Sequence, residues 1–294
     1  MLRARAFLLK HRVEVLLGLG GAITLPAVLA ARSASIRVCL LEINAKAGAA
    51  TRYLAPFAEH VLHAWPLSVP KNSAQGPGAR HVVSGPPLAP SFQRGKASAE
   101  ESEAARRSFG LDPTKPVLLV LGGSQGALSI NRFLREAAGE LLGSGVQLLH
   151  QVGPGRMEEA AFPSGEKHSG YHAFEYIDDV AAALAAATCC LCRGGASTLA
   201  ELAARGVPAW VVPYPHHKDR HQEANARALG KGVRILNESE LGRDVCVGLQ
   251  RLCATEGAAE REAMGAALLA SVPPDAGQTI ARALLDPKAL LRTG

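Results

Sequence analysis

"KPVLLVLGGSQGALSINRFLREAAGEL", residues 115–141, decides the fold. A proline leads into five apolar residues, Val117–Leu121, which read as a buried strand. Gly122 and Gly123 let the chain turn tightly, and the remainder reads as a helix. The amides that follow the glycines, with Ser124 and Gln125, are placed at the start of that helix. A helix N-terminus offers free N–H groups and a partial positive charge, which suits a pyrophosphate. The stretch lacks the Gly-Lys-Ser/Thr of a Walker loop and the spacing of a dinucleotide fingerprint. A turn that serves packing alone is the plainer alternative.

Strand–turn–helix units recur on both sides. Upstream, "VEVLLGLGG" reads as a parallel strand ending in a glycine turn, with a helix over Pro26–Ala31. "IRVCLLE" (36–42) is a strand, "GAATRYLAPFAEHVLHA" a helix or partial helix, and "RHVVSGPP" a further strand. Composition turns polar and charged between Pro86 and Pro116, where "RGKASAEESEAARRSFG" reads as a surface helix after a linker. Downstream, "VQLLHQVG" and "YHAFEYI" are strands, "DDVAAALAAAT" is helical and "CCLCRGG" is a strand. "ASTLAELAARG" is a helix closed by Gly206, "PAWVVPYP" a strand, and "DRHQEANARALGKG" a helix ended by glycine. Such alternation predicts α/β units with parallel sheets and ligands at the carboxyl ends of the strands. The expected division is 1–90 and 91–294.

The bulk numbers agree. The 294 residues are 48% hydrophobic with 4% aromatics and 30 glycines, which favours close α/β layers over a sandwich. The net charge of +6 is uneven. Residues 1–94 hold 11 Lys/Arg against 3 Asp/Glu, and the remainder is slightly acidic. A solvated basic face accounts for this, and so does an anionic partner: a phosphate-bearing substrate, nucleic acid or an acidic leaflet. Three of six cysteines crowd into "TCCLC" without Cys-x-x-Cys spacing, so buried, reduced strand thiols are expected in a cytosolic setting. The basic and apolar start could pass for a secretion signal, but Glu14, "GLGG" and Pro26 interrupt it. No stretch is apolar enough to span a bilayer.

Two further segments carry chemistry. In "CRGGASTLAELAARGVP" (192–208), Gly194 and Gly195 permit close approach of a ligand. Ser197 and Thr198 supply hydroxyls, and Glu201 lies one turn beyond Ser197 on the same face. Glu201 suits ribose hydroxyls; equally, Thr198-x-x-Glu201 fits a capping box that would use both side chains locally. In "PYPHHKDRHQEANARAL", Asp219 is placed to N-cap a helix carrying Gln222 and Asn225 on one face, amides suited to sugar hydroxyls. His216, His217 and His221 invite a metal, yet no Cys or Glu stands at ligand spacing, so no metal is expected.

These segments together resemble the MurG family. "GGSQGALSIN", "EYIDDVAAALAAATCCLCRGGASTLAELAARGVP" and "HKDRHQEANARAL" are similar to its C-terminal motifs, and "GLGGAITLPAVLAA" and "LEINAKAGAATRYLAPFAEHVLHAWP" to its N-domain segments. The resemblance implies two Rossmann-like domains of the glycosyltransferase B type, the N-terminal one incomplete, and transfer of N-acetylglucosamine from UDP-GlcNAc to lipid I. It places Ser124 on the donor diphosphate and the Ile177 backbone on uracil. Ala196, Ser197, Thr198, Leu199, Ala200 and Glu201 would line the nucleotide, with Glu201 on the ribose. Gln222 would hold the amino sugar with Asn225 nearby, and Asn44 would reach the donor. UDP-GlcNAc is a substrate and no cofactor is implied. The implied partners are undecaprenyl-linked lipid I and the anionic cytoplasmic face of the inner membrane, without nucleic acid.

Departures accompany the match. The family's first glycine-rich loop with its histidine has no counterpart, nor does a linker arginine, since "SGPPLAPS" is without a basic residue. Ala22 replaces an expected aromatic and His221 an expected glutamine. Donor binding is therefore expected largely intact, whereas the catalytic base has no assigned residue, Glu42 being a guess. Another lipid-directed UDP-sugar transferase and an inactive UDP-sugar-binding chain are the alternatives.

Overall fold

The computed structural model describes residues 1–71, 80–92, 94–162, 168–216 and 219–286. The chain divides into two compact units, one of Met1–Leu88 joined by the residues from Pro273 onward, the other of Ala89–Val272.

The first unit begins with α1 (Leu2–Lys10), in the segment that could be read as a secretion signal. There follow β1 (Val15–Gly18), α2 (Thr24–Ser33), β2 (Arg37–Glu42), α3 (Ala49–Leu54), β3 (His60–His63) and β4 (Arg80–Val83). The four strands are parallel and lie in chain order, with Leu17 beside Cys39, Leu40 beside Val61 and Leu62 beside Val82. One face of the sheet packs Val38, Leu40 and Val61 against Val28, Ala31 and Leu54. The stretch from Gly48 read as a helix or partial helix is helical only over α3; a single tight turn over Ala55–Phe57 and strand β3 follow. Pro56 cannot continue the helix. All four residues of β3 are buried, and a strand covered on both faces has no alternation to announce it.

The second unit contains α4 (Ala99–Ser108), β5 (Val117–Leu121), α5 (Leu128–Gly143), β6 (Gln147–Gln151), β7 (Tyr171–Phe174), α6 (Val180–Ala186) and β8 (Cys189–Cys192). It continues with α7 (Ala196–Arg205), β9 (Ala209–Val211), α8 (His221–Ala228), β10 (Val233–Ile235), α9 (Arg243–Cys253) and α10 (Ala258–Ser271). Its starts and stops follow local chemistry. Ser98 accepts the Glu101 N–H at 3.1 Å to open α4, Asp179 accepts the Ala182 N–H at 2.9 Å to open α6, and Gly206 closes α7 at φ 62°. The six strands are parallel in the order β10-β9-β8-β5-β6-β7. Leu118, Val120, Leu148, Leu191 and Trp210 of the sheet pack against Ile130, Phe133 and Leu134 of α5 and Leu249 and Leu252 of α9. Each such side chain contributes about 1.5–3 kcal/mol on burial.

The chain runs outward from β5 to β7, then crosses back to lay β8 on the other side of β5. The two strands at this reversal are parallel neighbours, Leu121 beside Cys192. A crevice therefore opens between the turns that leave them.

The last helix, α11 (Ala276–Leu285), returns to the first unit, where a division at residue 90 alone puts it with the second. Ile280 and Ala283 bury against Leu41 and Leu62, and Arg37 donates to the carbonyls of Leu284 (3.1 Å) and Ala283 (3.3 Å). All six cysteines are free and buried, with the Cys189 and Cys253 sulfurs 3.3 Å apart. No helix among the described residues is long and apolar enough to cross a membrane.

Candidate functional site

A cavity of about 930 Å³ opens at the carboxyl ends of β5, β8 and β9, within the second unit. Three turns build it.

The first leaves β5. The Gly126 N–H donates to the Gly123 carbonyl at 3.0 Å, and a Cβ at Gly126 would overlap the carbonyl oxygen of Val152, so glycine alone lets the turn sit on the end of β6. Arg156 braces it, with Nε donating to the Gln125 carbonyl at 3.0 Å and Nη1 paired to Glu159 at 2.7 Å. Helix α5 starts at Leu128, later than the sequence reading had it. Ser124 and Gln125 thus belong to the turn and not to the first helical residues, because the left-handed Gly126 (φ 72°) delays the helix. The N-cap residue, Ala127, has no side-chain acceptor, so the first-turn amides of α5 stay free for a ligand.

The second turn leaves β8 and opens α7, with Gly195 as its uncapped N-cap. Thr198 is therefore the third residue of the helix, and the capping box with Glu201 does not form. The box that does form joins Asn237 and Glu240. Glu201 has no hydrogen-bond partner among the described residues, and burial pushes its carboxyl up to about 7.

The third turn precedes α8. Gln222 Oε1 accepts the N–H groups of Gly194 (3.2 Å) and Tyr214 (2.9 Å), while Asn225 Nδ2 donates to the Gly194 carbonyl (3.2 Å). Two amides three residues apart thus grip both polar groups of one glycine, and a Cβ on Gly194 would overlap the Gln222 carbonyl. The Nε2 group of Gln222 keeps its hydrogens free among the described residues. Asp219 does not cap α8: Arg220 holds that position at φ 49°, and Asp219 Oδ2 lies 3.2 Å from His221 Nε2.

Arg193 ties the three turns together. Its Nη1 donates to the Val212 carbonyl (3.0 Å), and its Nη2 to Ser129 Oγ (3.0 Å) and Glu238 Oε1 (2.6 Å). Ser129 Oγ also donates to Glu238 at 2.8 Å, and these bonds hold the Glu238 carboxyl below its usual range against its burial. The Tyr214 ring lies 5.6 Å from the guanidinium carbon.

Of the residues singled out in the sequence, the cavity brings together Gly122, Gly123, Ser124, Gln125, Ala196, Ser197, Thr198 and Gln222. Leu199 and Ala200 turn into the core, Asn225 is buried, and Glu201 is half-buried and outside the lining residues. Ile177 is 3% exposed in the loop between β7 and α6, and its main-chain N–H and C=O make no hydrogen bond among the described residues. Asn44 lies in the first unit, where Glu42 organises its loop. The Glu42 carboxylate accepts from the Asn44 N–H (3.0 Å), Asn44 Nδ2 (3.1 Å), the Gly48 N–H (2.8 Å) and Thr51 Oγ (2.6 Å). With both oxygens so engaged, Glu42 is a loop anchor and not a free base. Of the three histidines read as possible ligands, His216 packs on Tyr214, His221 faces Asp219, and His217 lies outside the described residues. Among the described residues no three His, Cys, Asp or Glu side chains gather as a metal site.

Sequence reasoning missed Ser129, Arg132, Arg156, Arg193 and Glu238 in the lining. Arg193 carried one legible signal, a cation at the end of a wholly apolar strand. Glu238, which is 45 residues downstream, carried none.

At the switch point of this parallel sheet, two helix N-termini without side-chain caps meet in a cavity lined by Arg132, Arg156 and Arg193. The glycosyltransferase family 28 C-terminal domain matches residues 117–267, half of the chain, which makes the class a glycosyltransferase. A UDP-N-acetylglucosamine--N-acetylmuramyl-(pentapeptide) pyrophosphoryl-undecaprenol N-acetylglucosamine transferase from a Nocardioides species is 38% identical over 96% of this chain and 74% of its own length. The Frankia casuarinae protein of that name is 36% identical over 96% and 73%. The chain belongs to this family, MurG. The Acinetobacter baumannii MurG crystal structure superposes with a TM-score of 0.72 at 27% identity, covering 96% of this chain and 76% of that one. The S. aureus MnaA-UDP structure shares the fold at 13% identity, with a TM-score of 0.68 over 99% and 79%. The α/β fold of parallel sheets is thus of the glycosyltransferase B type.

Proposed function

We propose that the chain transfers N-acetylglucosamine from UDP-GlcNAc to lipid I, giving lipid II. The observation that carries this reading is the meeting of the α5 and α7 N-termini in one cavity, both without side-chain caps. Their amides would take the diphosphate and stabilise charge as UDP departs, preorganised before the reaction begins. Ser124, in the first turn, adds a hydroxyl. The unpartnered main chain of Ile177 suits the hydrogen-bonding edge of uracil, and Glu201 suits the ribose hydroxyls. The free Nε2 group of Gln222 would donate to the sugar, with Asn225 holding the glycine beneath it; Asn44 is a further donor contact that the family resemblance implies. The acceptor hydroxyl would attack opposite the leaving group, inverting the anomeric carbon.

Peripheral docking on the anionic cytoplasmic face of the membrane is part of the proposal. Helix α1 exposes Leu2, Phe7 and Leu9 beside Arg3, Arg5 and Lys10, the mixture that suits an acidic lipid surface. Transfer of radiolabelled N-acetylglucosamine to lipid I in vesicles tests the reaction. A crystal soak with UDP-GlcNAc tests the donor site, and a nucleotide bound away from the two helix N-termini would overturn it.

A further inference from the structure

Three guanidinium groups line the cavity, and two are already committed. Arg193 spends both Nη groups on Val212, Ser129 and Glu238, and Glu238 cancels its charge. Arg156 spends Nε on the Gln125 carbonyl and pairs with Glu159. Turning either toward a ligand would cost the bonds that hold the walls. Arg132 faces no such cost. It is exposed, it lies three residues beyond Ser129 and hence on the same face of α5, and it makes no hydrogen bond or ion pair among the described residues. With Glu238 and Glu159 counted against Arg193 and Arg156, the uncompensated guanidinium charge of this lining is the one on Arg132.

We propose that Arg132 is the side-chain cation that meets the diphosphate of the donor, while Arg193 and Arg156 position the turns. This rests on the reading of the cavity as a UDP-sugar site. A guanidinium fork matches two non-bridging phosphate oxygens, and here it projects from the helix whose free N-terminal amides face the same group.

Calorimetry on the full chain with uridine, UDP and UDP-GlcNAc tests this. Arg132→Ala should weaken UDP and UDP-GlcNAc by about tenfold to a hundredfold, the range for a charge-assisted hydrogen-bonded contact, and leave uridine unchanged. Arg132→Lys should fall between, and the salt dependence of UDP binding should flatten in the alanine variant. Arg107→Ala, on α4 outside the cavity, should bind as the parent does. UDP affinity within twofold of the parent in Arg132→Ala would overturn the role of Arg132 and leave the donor reading standing. Equal losses for uridine and UDP would also overturn it, since they mark a structural role. A parent chain that binds neither uridine nor UDP would overturn both.

Discussion

Replacing Glu201 by glutamine should make the protein more stable and a poorer binder of UDP-GlcNAc, both with a defined pH dependence. Burial raises the carboxyl from 4.5 to about 7 in the folded protein. A raised folded-state value means the folded form prefers the protonated acid. The associated stability is complete below about pH 4.5 and is lost as pH rises through 7. The full shift corresponds to about 3 kcal/mol, and with the side chain partly open to solvent roughly 1–2 kcal/mol is the expected share. Glu201→Gln should therefore melt a few degrees higher than the parent at pH 8, with no gain at pH 4. Binding runs the other way. In the proposed complex ribose hydroxyls would donate to the carboxylate, which is about one-tenth populated at pH 6 and about nine-tenths at pH 8. UDP-GlcNAc affinity should rise about tenfold over that interval through this group, and the rise should vanish in Glu201→Gln. Comparing parent and variant isolates the contribution of this carboxyl. Parallel affinity-against-pH curves for the two proteins would refute the ribose role; an unchanged melting temperature at pH 8 would refute the burial argument.

Gly194→Ala should lower both stability and donor binding, because its Cβ overlaps the Gln222 carbonyl and splits the grip of Gln222 and Asn225; overpacking of this kind costs about 1–3 kcal/mol, readable as a thermal shift. Gln222→Ala should lose more affinity for UDP-GlcNAc than for UDP, and an unchanged ratio in calorimetry would remove it from the sugar pocket. Acid should destabilise the fold: burial lowers His63 to about 4 and His150 to about 3, so the stability present above about pH 6.5 is lost as pH falls toward those values. Urea midpoints that stay flat between pH 7 and pH 5 would contradict this.

Much of the scaffold was legible because it is local. Val117–Leu121 and Cys189–Cys192 are apolar runs closed by glycine, and the helices after them carry their own starts and stops. Where two signals competed, the reading failed. Strand β3 has no signal separating it from the helix or partial helix before it, because burial on both faces erases its period, and the cap position expected for Asp219 is held by Arg220.

Residue order alone showed that glycine turns end apolar strands and that the segments around them resemble the MurG family. Tertiary structure alone decided which turns share a cavity. Strands β5 and β8 are neighbours because the chain crosses back over its own sheet, which sets Gly122 beside Arg193 from 71 residues away. That crossing also brings Ser129 to Arg193, where Glu238 joins them, leaving Arg132 as the guanidinium of the lining with no partner among the described residues; burial moves the titration of Glu201 toward neutrality. Adjacency of this kind depends on strand order, and solvation on what covers a side chain. Neither is encoded within the reach of a local motif.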